Sequence, residues 1–258
     1  MKIVTWNVNS IRTRIDHLLN LIKKYSPDII CLQETKVTND SFPEKKFLEL
    51  DYFSYFCGIP SYNGVAILSK IKAQKIQSYN FCNREDARHI QIHLGSCQIH
   101  SIYVPAGGDL PDPDLNDKFK HKLTFLDEMD KWSSKLEKKN ILCGDLNIAP
   151  FEDDVWSHKS LENVVSHTKI ERDKLIEIIK NGKWTDCVRK FINPPKNVYT
   201  WWSYRSPDFT KNNRGRRLDH IWISNSMIKD LKEVEILKEF RKFNKPSDHV
   251  PIIIDLKI

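Results

Sequence analysis

ILCGDLNIAP, residues 141–150, is an apolar run that closes on two polar side chains, Asp145 and Asn147. Its aliphatic text predicts a buried strand over Ile141–Asn147. A carboxylate in such text is expensive to bury unless something compensates its charge. The same arrangement recurs along the chain. Asn7 follows the run Ile3–Trp6, Glu34 ends Ile29–Glu34, and Tyr103 lies near the end of Cys97–Val104. Asp219 sits in Leu218–Ser224, and Asp248-His249 precedes Ile252–Ile258. Strands packed in one sandwich have their ends in common planes, so these side chains are expected to converge.

Three further strand-like runs are Gly64–Ser69, His89–Leu94 and Tyr199–Tyr204. In His89–Leu94, Ile90, Ile92 and Leu94 share one face, and Gly95-Ser96 fits a two-residue hairpin turn into the next strand. Helical spacing appears between strands. Ile11, Ile15, Leu18, Leu19 and Ile22 form one apolar stripe, with Ser10 as N-cap and Pro27 as the stop. Leu115, Phe119, Leu123, Leu126 and Met129 form a second, with Lys135, Lys138 and Lys139 at its C-terminal end. Leu175, Ile176 and Ile179 mark a third, ending near Gly182. Hairpins mixed with helix crossovers predict mixed sheets flanked by helices. Pro105–Asp117 reads as an exposed loop inside a domain.

The 258 residues are 40% hydrophobic and 29% charged, which excludes a disordered chain, a coiled coil or a collagen. One domain spanning 1–258 is expected. The net charge of +7 favours a polyanionic partner. Cys31, Cys57, Cys82, Cys97, Cys143 and Cys187 include no C-x-x-C pair and read as reduced core thiols. The opening MKIVTWNVNS reads as a strand and not as a secretory leader, and the longest aliphatic stretches are too short to span a bilayer. A cytoplasmic location without membrane contact is therefore expected.

The candidate ligands at the strand ends are oxygen and amide donors. No Cys or His pair has zinc spacing, so hard Mg²⁺ is favoured, with Mn²⁺ able to replace it. His249, beside Asp248 and within reach of Asp219, suits a His–Asp pair that stabilises charge on a phosphate oxygen. His93 and His100 are placed on the polar face of the hairpin; His17, His121, His158 and His167 are read as surface residues.

Taken together, IVTWNVNSIR (3–12), CLQETK (31–36), Tyr103-Val104-Pro105 with Gly107-Gly108, GDLNIAP (144–150), YTWWSYRS (199–206), NRGRRLDHIWIS (213–224) and KPSDHVPI (245–252) resemble the exonuclease III family of the endonuclease/exonuclease/phosphatase superfamily. The resemblance covers essentially the whole chain. It implies a four-layer α/β sandwich: two mixed β-sheets packed face to face, helices on the outside, and the site at one rim. It also implies a Mg²⁺-dependent DNA repair nuclease acting on duplex DNA. The implied activities are a 3′→5′ exonuclease releasing 5′-mononucleotides, an endonuclease cutting 5′ to abasic sites, and a 3′-end phosphatase or phosphodiesterase. Partners would be duplex DNA, especially abasic sites and 3′ ends, with the protein a monomer.

Carried over by motif, Asp145 would activate the attacking water, Asn7 would orient it, and Asn147 would hold the phosphate or the nucleophile. Tyr103 would contact the scissile phosphate, and Asp219 would pair with His249. The implied metal set is Asn7, Glu34, Asp145, Asn147, Asp248 and His249. The implied substrate contacts are Arg88, Trp201, Arg214, Arg216, Arg217 and Leu218, with Trp201 lining the pocket for the abasic sugar and Trp202 assigned to the core. Asn9 stands where some relatives carry Asp, which argues against a metal contribution from it. A small-molecule phosphoesterase on the same fold is the alternative.

Overall fold

The computed structural model describes residues 1–137, 139–205 and 208–257. Lys138, Ser206 and Ile258, which belong to an expected helix end, a motif and the expected last strand, lie outside the described residues. Fourteen strands follow one another among the described residues: β1 (Lys2–Asn7), β2 (Ile29–Gln33), β3 (Phe53–Cys57), β4 (Val65–Ser69), β5 (Lys75–Gln77), β6 (His89–Leu94), β7 (Cys97–Tyr103), β8 (Lys139–Asp145), β9 (Trp184–Asp186), β10 (Trp201–Trp202), β11 (Gly215–Arg216), β12 (Asp219–Ser224), β13 (Leu231–Ile236) and β14 (Ile252–Leu256). One six-stranded sheet has the order β13-β14-β1-β2-β4-β3, the other β5-β6-β7-β8-β12-β9, and β10-β11 form a short ribbon. Each large sheet has one parallel pair at its centre, β1–β2 or β7–β8, among antiparallel neighbours. Both sheets are therefore mixed. A parallel pair needs a crossover, and the helices Ile11–Tyr25 and Asp117–Ser133 supply one each.

The period of two along each strand builds the layers. Ile3, Ile29, Cys31, Val65 and Ile67 of the first sheet meet Ile92, Ile99, Ile141, Cys143 and Ile221 of the second in one buried cluster between the sheets. The alternate residues Val4, Trp6, Ile30 and Leu32 face outward onto Leu18, Leu21 and Ile22 of the Ile11–Tyr25 helix. Ile102, Leu142 and Trp222 do the same beneath Phe119, Leu123 and Met129 of the Asp117–Ser133 helix and Leu175 and Ile178 of the Lys169–Asn181 helix. This is the four-layer sandwich. Each fully buried side chain of this kind contributes about 1.5–3 kcal/mol.

Local departures have physical causes. Ser10 has φ of 90° and makes no side-chain cap, whereas the helix after it stops as expected, on left-handed Ser26 before Pro27. Leu115 is exposed and precedes the second helix, which is capped by the Asn116 side chain instead. Lys139 begins β8, and Ile176 faces water while Ile178 takes the buried position. His100 and His167 are buried, not surface groups. The ring of His100 contacts His89 and Asn140, and that of His167 contacts His158 and the Ala149 carbonyl. All six cysteines are unpaired. Among the described residues no helix is long and apolar enough to cross a membrane.

Candidate active site

Strand register delivers the polar residues to one rim. In the second sheet Tyr103 pairs with Asp145 across β7–β8, and Asp145 with Asp219 across β8–β12. Three functional groups thus stand side by side on three adjacent strands. Each has the parity of the inward-facing core residues of its strand, and so does Asn7 at the end of β1. Beneath the rim, Gln33 donates to Ser101 at 3.0 Å between the sheets, so the core turns polar before the site begins. Glu34 lies just past β2 with φ of 51°, and Lys36 repeats the left-handed backbone at 54°.

Asn7 Nδ2 is the bridge between the halves, donating to Glu34 Oε1 at 2.9 Å and to Asp145 Oδ2 at 2.8 Å. Tyr103 donates its hydroxyl to Glu34 Oε1 at 2.8 Å. Asp145 also accepts the Asn147 backbone N–H at 2.9 Å and its side-chain amide at 3.3 Å. His249 lies 2.8 Å from Asp219 through Nδ1, while its Nε2 is 3.7 Å from Asp145 Oδ2. The second distance permits charge attraction but is too long for a hydrogen bond. Asp248 accepts from Asn9 Nδ2 at 3.0 Å and from Trp201 Nε1 at 2.9 Å.

The electrostatics follow from burial and these partners. Burial disfavours an imidazolium, but Asp219 and then Asp145 outweigh it and raise His249 to about 10, so the ring is cationic at neutral pH. Burial pushes Asp145 up to about 7, with Asp219 adding to the shift and His249 opposing it. Burial would also raise Glu34, yet the Lys36 ammonium and Asn7 hold it below the usual carboxylate range. Tyr103 is pushed well up, by burial first and the Glu34 charge second, and keeps its proton.

The donor set fits a hard divalent cation. Glu34, Asp145, Asp219 and Asp248 bring four carboxylates together, against Lys36 and His249 as the cations in direct contact. Asp219 Oδ1 is buried without a hydrogen-bond partner. Asp145, Asp219 and His249 each bring one ligating atom within 4.8 Å of the others. His249 already engages Asp219 through Nδ1, which leaves Nε2 as its ring atom able to face a cation. Both Asp248 oxygens are already bonded. Glu34 offers the better position: its Oε2 holds Lys36 Nζ at 2.7 Å, so a positive charge already sits where a metal ion would bind.

Two grooves flank the rim and meet at Gly108. One, of about 610 Å³, runs past Arg84, Arg88, Tyr103 and His121. The other, of about 630 Å³, is lined by Trp156, Trp201, Arg205, Arg214 and Arg216. Arg214 stacks over Trp156 and Arg216 over Trp201, with Arg216 anchored by Ser166 Oγ at 2.6 Å. Arg88 lies over the Tyr103 ring and pairs with Asp86.

Two expected substrate contacts are corrected. Arg217 is fully enclosed, its guanidinium bonded to Asp154 at 2.8 Å and to Asp186 at 2.7 Å, so no part of it is exposed to meet a phosphate. Leu218 packs against Ala149, Val155 and Leu161 beneath the groove. Trp202 is core, as expected. Lys36 and Trp156 were not legible as site residues, and Asn9, weighed only for a metal role, instead bonds Asp248 and Lys36. Lys36 stands two residues after Glu34, and only the left-handed backbone at both positions brings the two side chains together.

A two-sheet sandwich with a carboxylate-rich rim, a buried imidazolium and flanking cationic grooves defines a phosphoester hydrolase of the metal-dependent kind. Residues 4–249 match the Endonuclease/Exonuclease/phosphatase family, and the chain belongs to it. It is 29% identical to exodeoxyribonuclease III of Haemophilus influenzae over 276 residues, covering 100% of both chains. Its structure superposes with TM-score 0.93 on an AP endonuclease from Archaeoglobus fulgidus, at 30% identity and 100% coverage of both. It also resembles the 3′ phosphatase NExo from Neisseria bound to product DNA hairpin, with TM-score 0.92, 30% identity and 99% coverage of both.

Proposed function

We propose that the chain is a DNA repair nuclease that hydrolyses phosphodiesters in duplex DNA. In this reading it acts as a 3′→5′ exonuclease, an endonuclease cutting 5′ to abasic sites and a 3′-end phosphatase or phosphodiesterase. The observation that carries it is the Asp145–His249 pairing. A carboxylate held by two amides sits beside an imidazolium that a second carboxylate keeps charged.

Asp145 takes the proton of the attacking water, and a group whose acidity lies near neutral pH suits that task. Asn7 and Asn147 fix its orientation. His249 stabilises the charge that builds on a non-bridging phosphate oxygen. Tyr103 turns its hydroxyl from Glu34 to the same phosphate. Mg²⁺, or Mn²⁺ in its place, supplies charge neutralisation at the phosphate and the leaving 3′ oxygen when bound. Glu34 with Asn7 would hold it in exchange for the Lys36 ammonium. Arg88 contacts the backbone on one side of the rim and Arg214 and Arg216 on the other, without reading bases. Trp201 and Trp156 receive an unstacked sugar. The protein works as a cytoplasmic monomer, with both sheets contributing to one catalytic domain.

The test is a duplex carrying one synthetic abasic site, incubated with Mg²⁺ or with EDTA, with the product ends mapped. A single nick 5′ to the lesion in Mg²⁺, absent in EDTA, is expected. An intact duplex together with rapid turnover of inositol phosphates would overturn the proposal.

A further inference from the structure

Lys122 and Glu171 form an ion pair at 2.6 Å in which both side chains are wholly buried. They lie on the helices Asp117–Ser133 and Lys169–Asn181, outside the rim. An ammonium has three N–H groups. Those of Lys122 meet Glu171, the Asn147 carbonyl at 2.8 Å and the Ala106 carbonyl at 3.2 Å. Glu171 in turn accepts the backbone N–H of Ser166 at 2.9 Å and of Thr168 at 3.1 Å.

These contacts reach three segments that carry the site. Asn147, with φ of 54°, places its side chain on Asp145 and on the Val104 carbonyl. Ala106 belongs to the loop between Tyr103 and Gly108, where the grooves meet. Ser166 anchors Arg216. A buried ion pair is a poor means of adding stability, because desolvation offsets most of the attraction and well-packed neutral side chains hold helices as well. Neutral apolar side chains could not, however, hold two backbone carbonyls.

We infer that Lys122 and Glu171 are positioning residues for the hydrolytic site. Lys122 fixes Asn147, and through it Asp145, from below, and Glu171 sets the turn that carries Ser166. The inference rests on the nuclease reading for its rate measurement but not for its spectroscopic one.

The test pairs Lys122→Met with Glu171→Gln, which removes both charges while the Gln oxygen still serves the Ser166 and Thr168 N–H groups. The melting temperature should fall by roughly 5–20 °C, since no charge is left unpaired but the Asn147 and Ala106 carbonyls lose their buried donor. On an abasic duplex, kcat should fall at least about tenfold, with KM changing less than about threefold, the signature of a misplaced reacting group. Asn147→Ala should cost less in that background than in the parent, because the two act on one group. The Asn147 side-chain amide signal in NMR should shift while the rest of the spectrum is retained. If this pair does not fold, Lys122→Gln with Glu171→Gln keeps one donor and should give an intermediate loss of rate. Full kcat, or an unshifted Asn147 amide, in either folded variant overturns the inference. If the parent leaves DNA uncut, the nuclease reading falls and the amide signal alone decides the positioning role.

Discussion

Replacing Asp145 with Asn should separate chemistry from stability in opposite directions. The carboxylate is buried, and burial together with Asp219 raises it to about 7 in spite of the His249 attraction. Its ionised form is therefore disfavoured by the fold. A folded value above the ordinary one means that the native state binds the extra proton. Stability is then full below the unfolded value of 3.8 and is lost as pH rises towards 7. The rise from 3.8 to about 7 corresponds to at most ~4 kcal/mol. An Asn cannot accept every bond that Asp145 does, which returns ~1 kcal/mol. The net gain for Asp145→Asn at pH 8 is about 1–3 kcal/mol, a rise in melting temperature of roughly 2–4 °C per kcal/mol for a chain of this size. The same variant loses the group that takes the proton from water, so kcat should fall at least about a hundredfold, with duplex binding little changed. The assay is nicking of an abasic duplex in Mg²⁺, beside thermal melts of parent and variant in EDTA at pH 8 and pH 5. Near-normal turnover would remove the role given to Asp145. A variant that melts lower than the parent at pH 8 would refute the electrostatic account of its environment.

Arg217→Ala removes the guanidinium that bridges Asp154 and Asp186, leaving Asp154 to Arg189 alone and Asp186 without its arginine, and should destabilise by about 3–5 kcal/mol, read as a lower urea midpoint. An unchanged midpoint with weakened DNA binding would return Arg217 to the groove. Arg214→Ala, on an exposed side chain stacked over Trp156, should leave melting unchanged and lower the slope of log binding constant against log salt by about 1. An unchanged slope would remove the phosphate contact. Burial lowers His100 to about 4, so the unfolded chain binds the extra proton between 6.5 and 4; stability is full above 6.5 and is lost as pH falls through that window. His100→Gln should flatten this part of the urea-midpoint profile relative to the parent, and parallel profiles would refute the assignment.

How much of this was legible in the sequence depends on whether the signal was periodic. The runs Ile3–Trp6, His89–Leu94 and Leu218–Ser224 stand out because alternation with apolar text is a local property, and each lies within a residue of the strand found there. All four edge strands of the two large sheets, Phe53–Cys57, Lys75–Gln77, Trp184–Asp186 and Leu231–Ile236, were missed: Lys75–Gln77 and Leu231–Ile236 face water on much of their surface and need not be apolar, and Phe53–Cys57 and Trp184–Asp186 lack the alternation that marks a strand. Tyr199–Tyr204 was overextended. Only Trp201 and Trp202 pair there, and the aromatic residues around them follow a loop whose packing is tertiary. Arg217 misled because a basic run in sequence looks the same whether a guanidinium meets a phosphate or two buried carboxylates; its partners Asp154 and Asp186 lie far from it in the chain.

The residues that converge on the rim share a deeper regularity. Asn7, Tyr103, Asp145 and Asp219 each take the inward parity of a core strand; Asp145 and Asp219 stand one step beyond Cys143 and Ile221, whereas the polar Thr5 and Ser101 intervene before Asn7 and Tyr103. The periodicity that packs the sandwich therefore also aims its chemistry, and a register slip of one residue would turn each group away from the rim. Glu34 and Asn147 are different. They lie past their strands, and left-handed backbone at each turns the side chain back to the site. Backbone of that kind is strained for residues other than glycine and persists only where surrounding contacts over-determine it. For Asn147 those contacts include the buried Lys122, and for Glu34 they are Asn7, Tyr103 and Lys36. Asn7 and Tyr103 carry a strand-end signal of their own, whereas Lys122 reaches Asn147 from a helix 25 residues away in the chain and carries none, which is why the residues of the rim could be singled out and that support could not.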